Sequence, residues 1–265
     1  MLKSGTFESN QQFINAWSYI ASACPKGEVL EADELAITWS GINSVLLNAI
    51  FLTKPIYDEA ELEAKIKVAC DSAKKRNQPW WMIVAENWIP ESLRPQIDQI
   101  FARAGLVPLL TLTGMTTEQL LPTTRQSKLN CVPVNNLEMR RAIADINAMS
   151  NSQPLAPFRE ALELDSFWQE TVFGTLGYVD NQPVSAAISF LLNDEFYLGW
   201  VATLPEYRGL GYAEAVSRHS LEQAAQRYGK KRTTLHATPA GFPVYQRMGY
   251  QPIAAFRAYT VAQQY

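Results

Sequence analysis

Leu204-Pro-Glu-Tyr-Arg-Gly-Leu-Gly-Tyr-Ala213 lies between an apolar run, Glu195 to Thr203, and an amphipathic one that continues to about Tyr228. The pattern reads as a strand, a glycine-rich turn and the start of a helix. Gly209, Gly211 and the small Ala213 stand where backbone N–H groups emerge just before that helix. The first N–H groups of a helix have no intrahelical partner and the helix dipole is positive there, so such a turn offers an anion site suited to phosphate. Glycine at these positions lets a ligand approach the backbone closely.

The 265 residues have room for one large domain or two of ordinary size. Hydrophobic residues make up 47% and charged residues 18%, the balance of a chain that folds around a core. A formal net charge of -3 gives no basic footprint for nucleic acid or an anionic membrane. The one basic run, Lys230-Lys231-Arg232, follows a helical stretch whose C-terminal dipole it suits. Cys24, Cys70 and Cys131 are scattered, odd in number and outside metal-ligand spacing, so they read as reduced thiols with no metal site. The first ten residues hold no apolar signal core, and the longest apolar stretch, Val45 to Leu52, is too short to span a bilayer. A cytoplasmic protein without nucleic-acid or membrane partners is the expectation.

Hydrophobic periodicity predicts a helix from Ser9-Asn10 to Ala23, strands over 35–39 and 48–53, and a helix over 58–75. A buried strand at 79–85, a helix at 90–104 and a strand at 106–112 follow. Regularity is lost over 115–135, a polar connection that includes Thr123, Thr124, Arg125, Gln126 and Ser127. The chain then reads as helices over 136–148 and 158–169 and strands over 171–180, 184–192 and 195–203, with Asp180-Asn181 and Asn193-Asp194 as turns. After the glycine turn come a helix to 228, a short strand at 233–236, a helix at 239–248 and a strand at 249–262.

With that context, Arg208-Gly-Leu-Gly-Tyr-Ala213 resembles the Arg/Gln-x-x-Gly-x-Gly/Ala signature of the GCN5-related N-acetyltransferases (GNAT), with Arg208, Gly211 and Ala213 at its defining positions. The resemblance covers roughly 130–262. It implies a mixed α/β fold whose mostly antiparallel sheet splays beside the cofactor, and acetyl transfer from acetyl-CoA to a primary amine.

An internal repeat extends the expectation to the first half. Phe101-Ala-Arg-Ala-Gly-Leu-Val-Pro-Leu109 matches Tyr245-Gln-Arg-Met-Gly-Tyr-Gln-Pro-Ile253 in Arg, Gly and Pro, and Phe51–Tyr57 falls on Val201–Tyr207 with the prolines aligned. At the turn the copies part, because the first has Asp58-Glu-Ala-Glu-Leu-Glu63, without glycine and with four carboxylates. Those charges suit a helix start and repel a pyrophosphate. The chain therefore reads as two GNAT-like domains, a degenerate one over 1–125 and a catalytic one over 130–265, as a monomer with pseudo-dimeric halves or a homodimer.

What the resemblance implies can be assigned residue by residue. Arg208, Gly209, Leu210, Gly211, Tyr212 and Ala213 hold the pyrophosphate, mainly through backbone N–H. Val201, Ala202 and Thr203 offer backbone groups to the pantetheine arm and the thioester. Tyr245 falls where many family members protonate the departing sulfur, and a phenol with a pKa near 10 keeps its proton for that step. The register in which relatives often carry a catalytic glutamate holds Tyr197, which leaves Glu195 or His236 as candidate bases, while His219 looks structural. Phe158, Glu163, Asp165, Phe167 and Trp168 are an aromatic and acidic set suited to a cationic acceptor. A CoA-binding module without turnover, or an acyl or aminoacyl transferase using another donor, fits the same residues.

Overall fold

The computed structural model describes residues 4–123 and 127–262, so Thr124, Arg125 and Gln126 of the expected connection lie outside the described residues. In chain order the elements are α1 (Ser4–Ala23), β1 (Glu28–Ala32), β2 (Leu35–Trp39), β3 (Asn48–Leu52), α2 (Glu59–Lys74), β4 (Trp81–Ala85), α3 (Ile97–Arg103) and β5 (Leu106–Thr117). There follow β6 (Asn130–Pro133), α4 (Leu137–Ser150), α5 (Leu155–Leu162), β7 (Val172–Val179), β8 (Gln182–Leu192), β9 (Glu195–Thr203), α6 (Tyr212–Tyr228), β10 (Thr233–Ala237), α7 (Phe242–Met248) and β11 (Gln251–Val261).

The chain forms two compact units. One comprises Met1–Gly114, His236–Ala240 and Pro252–Tyr265, and the other Met115–Leu235 and Gly241–Gln251. The chain thus leaves the first unit before the polar connection and returns to it for its last strand.

In the first unit the strand order is β1-β2-β3-β4-β11-β5. β1–β2, β2–β3 and β4–β11 are antiparallel and β3–β4 parallel. β2, β3 and β4 are buried at every position, which is why they read as unbroken apolar runs rather than alternating ones. α1 lays Phe13 on this core, 5.1 Å from the Phe51 ring and 6.1 Å from Trp81, and α2 adds Leu62, Ile66, Ala69 and Ala73. β11 is fastened by more than its ladder. Tyr259 stacks on Phe101 at 3.7 Å and donates its hydroxyl to Asp98 at 2.7 Å, Arg257 binds Glu86 at 2.6 Å, and the Thr260 hydroxyl donates to the Trp80 carbonyl at 2.8 Å.

His236 belongs to this unit. Its ring stacks on Phe13 at 3.8 Å, meets Phe256 edge-on at 5.0 Å and lies 3.1 Å from the Ser9 hydroxyl. Burial keeps the imidazole neutral, pushing its pKa from 6.5 down to about 3. A neutral folded form and a protonatable unfolded form mean that its contribution is complete above about pH 6.5 and is lost as pH falls from there towards 3. Thermal melts of the wild type and His236→Gln should therefore diverge as pH drops from 7 to 4, with the wild type losing melting temperature faster; parallel curves would refute the assignment.

In the second unit the order is β10-β9-β8-β7-β6, antiparallel from β6 to β9 and parallel at β9–β10. α6 covers one face, where Ser220 donates to the Phe173 carbonyl at 2.7 Å and His219 meets Thr175 at 3.2 Å. The other face takes the aromatic set, with Phe167 against Phe190 at 5.7 Å. Both units therefore run through antiparallel strands to one parallel pair, and the matched Gly105 and Gly249 end α3 and α7 in the same left-handed conformation, φ 76° and 103°. That is the repeat expressed as structure.

β1 and β6 were not expected. The β1–β2 turn uses Asp33 and Glu34 with φ of 52° and 60°, the same type of hairpin as Asp180-Asn181 and Asn193-Asp194, but glutamate is a poor marker of a left-handed turn. The expected helix over 158–169 ends at Leu162, and the one over 90–104 begins as a 3-10 turn around Pro95.

Candidate functional site

β9 ends at Thr203, a 3-10 turn spans Pro205–Tyr207, and α6 begins at Tyr212. Gly209 and Gly211 take φ of 79° and 82°, a region that L side chains rarely adopt, and a Cβ on Gly209 would meet nothing within 4 Å. Gly211 is the N-cap and brings no side chain to the helix end. Among the described residues no hydrogen bond reaches the backbone N–H groups of Gly209, Leu210, Gly211, Tyr212 or Ala213. These five adjacent donors stand at the positive end of a 17-residue helix, an arrangement that suits an anion. A cavity of about 240 Å³ adjoins it along α6, lined by Leu210, Gly211, Glu214, Arg218 and His219. The carboxylate of Glu214 there is held by Arg218 at 2.9 Å.

Arg208 serves the turn from behind. Its guanidinium donates to the Thr203 carbonyl at 3.1 Å and to the Ser150 carbonyl at 2.9 Å, and its own N–H is taken by Pro205 at 3.3 Å. It ties the turn to β9 and to the end of α4.

Upstream, β9 carries an irregularity. Its ladder with β8 pairs Ile188 with Gly199 and Ala186 with Ala202, so Trp200 and Val201 together face Ala187. This is a β-bulge, and Trp200 in it has φ of 52°. The Trp200 carbonyl accepts from Asn147 Nδ2 at 3.2 Å, and its ring meets Phe158 at 5.8 Å and Phe167 at 6.2 Å. On its other edge β9 pairs with β10 only at Phe196 and Tyr197. From Leu198 to Thr203, the stretch containing Val201 and Ala202, that edge has no strand partner among the described residues. An open edge of this length accepts an extended ligand by main-chain hydrogen bonding.

Tyr245 lies on α7 and is 9% exposed, its ring 5.9 Å from that of Tyr250. Burial raises its pKa well above 10, so it stays protonated. Burial also raises Tyr197, and the charge that Tyr245 would carry adds to the shift, so the two phenols are neighbours.

Glu195 opens β9 opposite Leu192, six residues from Val201 and therefore roughly 20 Å along the strand, too far to touch the same group. His236, with its pKa at about 3, is too weak a base to take a proton from an ammonium at neutral pH. The acceptor set is also committed elsewhere. Phe158 and Phe167 are buried, Glu163 binds Arg141 at 2.7 Å, Asp165 binds Arg140 at 2.5 Å, and Trp168 donates to the Leu162 carbonyl at 2.6 Å under the Arg140 guanidinium. Asn147 and the bulge were missed. The one sign of them is a polar residue inside the apolar stripe Ile143-Ala-Asp-Ile-Asn-Ala148 and a Gly199-Trp200 break in the strand pattern.

The counterpart in the first unit is closed at each of these points. Asp58 caps α2 by accepting from the Glu61 N–H at 2.8 Å, while Glu61 accepts from the Tyr57 N–H at 2.7 Å, a reciprocal box that fills the helix end with the chain's own carboxylates. β2 and β3 pair without a bulge from Leu35–Leu52 to Trp39–Asn48, and β3 pairs with β4 from Ala49 to Phe51. This helix start therefore carries the chain's own carboxylates where the second unit has glycine.

Comparison with known proteins agrees with this geometry. Residues 141–250 match the model of the acetyltransferase (GNAT) family. No curated protein sequence matches the chain. A GCN5-related N-acetyltransferase from Kribbella flavida has a similar structure, with a TM-score of 0.70 at 15% identity over 97% of this chain and 96% of that one. A GCN5-related N-acetyltransferase-like protein from Streptococcus suis 89/1591 gives 0.55 at 15% identity, over 95% and 98%. A tandem GNAT protein from the clavulanic acid biosynthesis pathway gives 0.51 at 11% identity, over 97% and 96%. Among the described residues no helix is long and apolar enough to cross a membrane, and no group of three or more His, Cys, Asp or Glu side chains could hold a metal ion. Residues 141–250 are thus similar in sequence to the acetyltransferase (GNAT) family, and the chain has the GNAT fold over nearly its whole length.

Proposed function

We propose that the second unit transfers an acetyl group from acetyl-CoA to a primary amine of a small molecule or peptide, and that the first unit binds no CoA. The observation that carries this reading is the row of unpartnered N–H groups from Gly209 to Ala213, which suits a pyrophosphate, directly after the open edge of β9, which suits a pantetheine arm. The neutral amine nitrogen attacks the thioester carbonyl carbon and the adduct's extra nitrogen proton passes to solvent, the carbon–sulfur bond breaks, and the thiolate takes a proton from the buried Tyr245 hydroxyl, whose phenolate is reprotonated from solvent. With Glu195 and His236 set aside, the amine enters as the free base, so kcat/KM rises with pH up to the pKa of the acceptor.

Tyr245→Phe is expected to lower kcat by about 10²-fold to 10⁴-fold, the range for general acid catalysis, with acetyl-CoA affinity little changed. Steady-state kinetics with a panel of amines and calorimetry on the same variant check both halves. That no described carboxylate has been placed beside Val201 favours a second reading, a CoA-binding module without turnover; for it, CoA binds and no amine supports release of thiol.

A further inference from the structure

We infer that Asn147 is a positioning residue for the acyl group, a role that rests on the acetyl-transfer reading above. In a planar trans peptide the C=O and the following N–H point in opposite directions. The grip of Asn147 Nδ2 on the Trp200 carbonyl at 3.2 Å therefore sets the direction of the Val201 N–H. Asn147 of α4 and Phe158 of α5 both meet Trp200, as does Phe167, which packs on Phe190, whereas α6 meets Thr175 and Ser189 of the opposite face. With the Trp200 carbonyl drawn towards α4, the Val201 N–H is turned away from α4, towards the side on which α6 and the glycine turn lie.

Nothing else in the local sequence would hold this peptide. Trp200 has φ of 52°, a conformation that bulky residues adopt only when their surroundings impose it. The surroundings are the Asn147 amide on the carbonyl and the edges of Phe158 and Phe167 on the ring. Asn147 is itself fixed, being 4% exposed, donating also to the Ile143 carbonyl at 3.0 Å and accepting at its own carbonyl from Asn151 Nδ2 at 2.8 Å. One turn on, the Ser150 carbonyl accepts from Arg208. The end of α4 thus anchors both the bulge and the phosphate turn, and it keeps the Val201 N–H at a constant distance from the pyrophosphate donors. In this arrangement the Val201 N–H donates to the thioester oxygen and strengthens that bond as negative charge develops there.

The test uses Asn147→Leu, which removes the donor, and Asn147→Asp, which keeps the shape but cannot donate at neutral pH. The probe is acetyl-CoA labelled with ¹³C at the carbonyl. In both variants CoA affinity should stay within about twofold of wild type, since the turn retains its own donors. kcat should fall at least tenfold, part of the roughly 10²–10³ that a lost oxyanion donor costs. The infrared carbonyl band of the bound thioester should move back towards its frequency in solution. An unchanged band and kcat in a folded variant would overturn the role of Asn147, as would a loss of CoA affinity in proportion to kcat, the mark of general disruption. Should Asn147→Leu fail to fold, Asn147→Asp carries the same three measurements. No binding of acetyl-CoA by the wild type would overturn the underlying reading and this role with it.

Discussion

A Gly211→Glu variant should lose CoA affinity by at least about a hundredfold, equivalent to about 2.7 kcal/mol. Two effects combine. A side chain at φ of 82° disfavours the left-handed conformation that aims the donors, at roughly 1–2 kcal/mol for a non-glycine residue. The new carboxylate also sits at the N-cap, where it accepts from the same N–H groups that face the ligand and repels a pyrophosphate, as Asp58 and Glu61 do in the first unit. Hydrogen bonds to charged groups contribute about 1.5–3 kcal/mol each, so the loss of two suffices. Capping offsets part of the backbone strain, and the variant is expected to fold. Calorimetric titration with CoA, alongside a thermal melt, reads both quantities. An unchanged affinity would show that the ligand does not use this turn.

The second large effect concerns the fold. Tyr259→Ala should lower the stability of the first unit by about 3–5 kcal/mol, the range for deleting a large buried aromatic side chain. The ring is fully buried on Phe101 and its hydroxyl is bound to Asp98, so truncation leaves a cavity and removes one of the two donors to Asp98, the other being Arg257 at 3.2 Å. Ending the chain after Tyr250 removes β11 entirely and takes the partner from one edge of β4. Urea denaturation monitored by tryptophan fluorescence should show the first unit unfolding at lower denaturant in Tyr259→Ala and failing to fold in the truncated chain. A cost below about 1 kcal/mol for Tyr259→Ala would mean that β11 is a passive edge.

Much of this was readable in the sequence because local chemistry dictated it. The glycine turn was recognisable since only glycine is at ease at φ near 80°, and the closed counterpart was recognisable since Asp58-Glu-Ala-Glu carries its own caps. The hairpins at Asp180-Asn181 and Asn193-Asp194 announced themselves, whereas Asp33-Glu34 adopted the same geometry with a residue that seldom marks it, and β1 was missed as a result. Glu195 shows what strand alternation leaves open. Alternation assigns a face but not a position along the strand, and about 3.3 Å per residue separates it from Val201. The bulge at Trp200 and the grip of Asn147 depend on α4 meeting β9, a tertiary contact between residues 53 apart. The same is true of β11, whose apolar pattern marked it as a strand without naming the unit that would receive it.

Titrating the unmodified chain with acetyl-CoA in a calorimeter tests the central claim most directly. One site per chain, abolished by Gly211→Glu and unaffected by Asp58→Ala, is the predicted result. Two sites, or a single site that survives Gly211→Glu, would contradict the division into one binding unit and one closed unit.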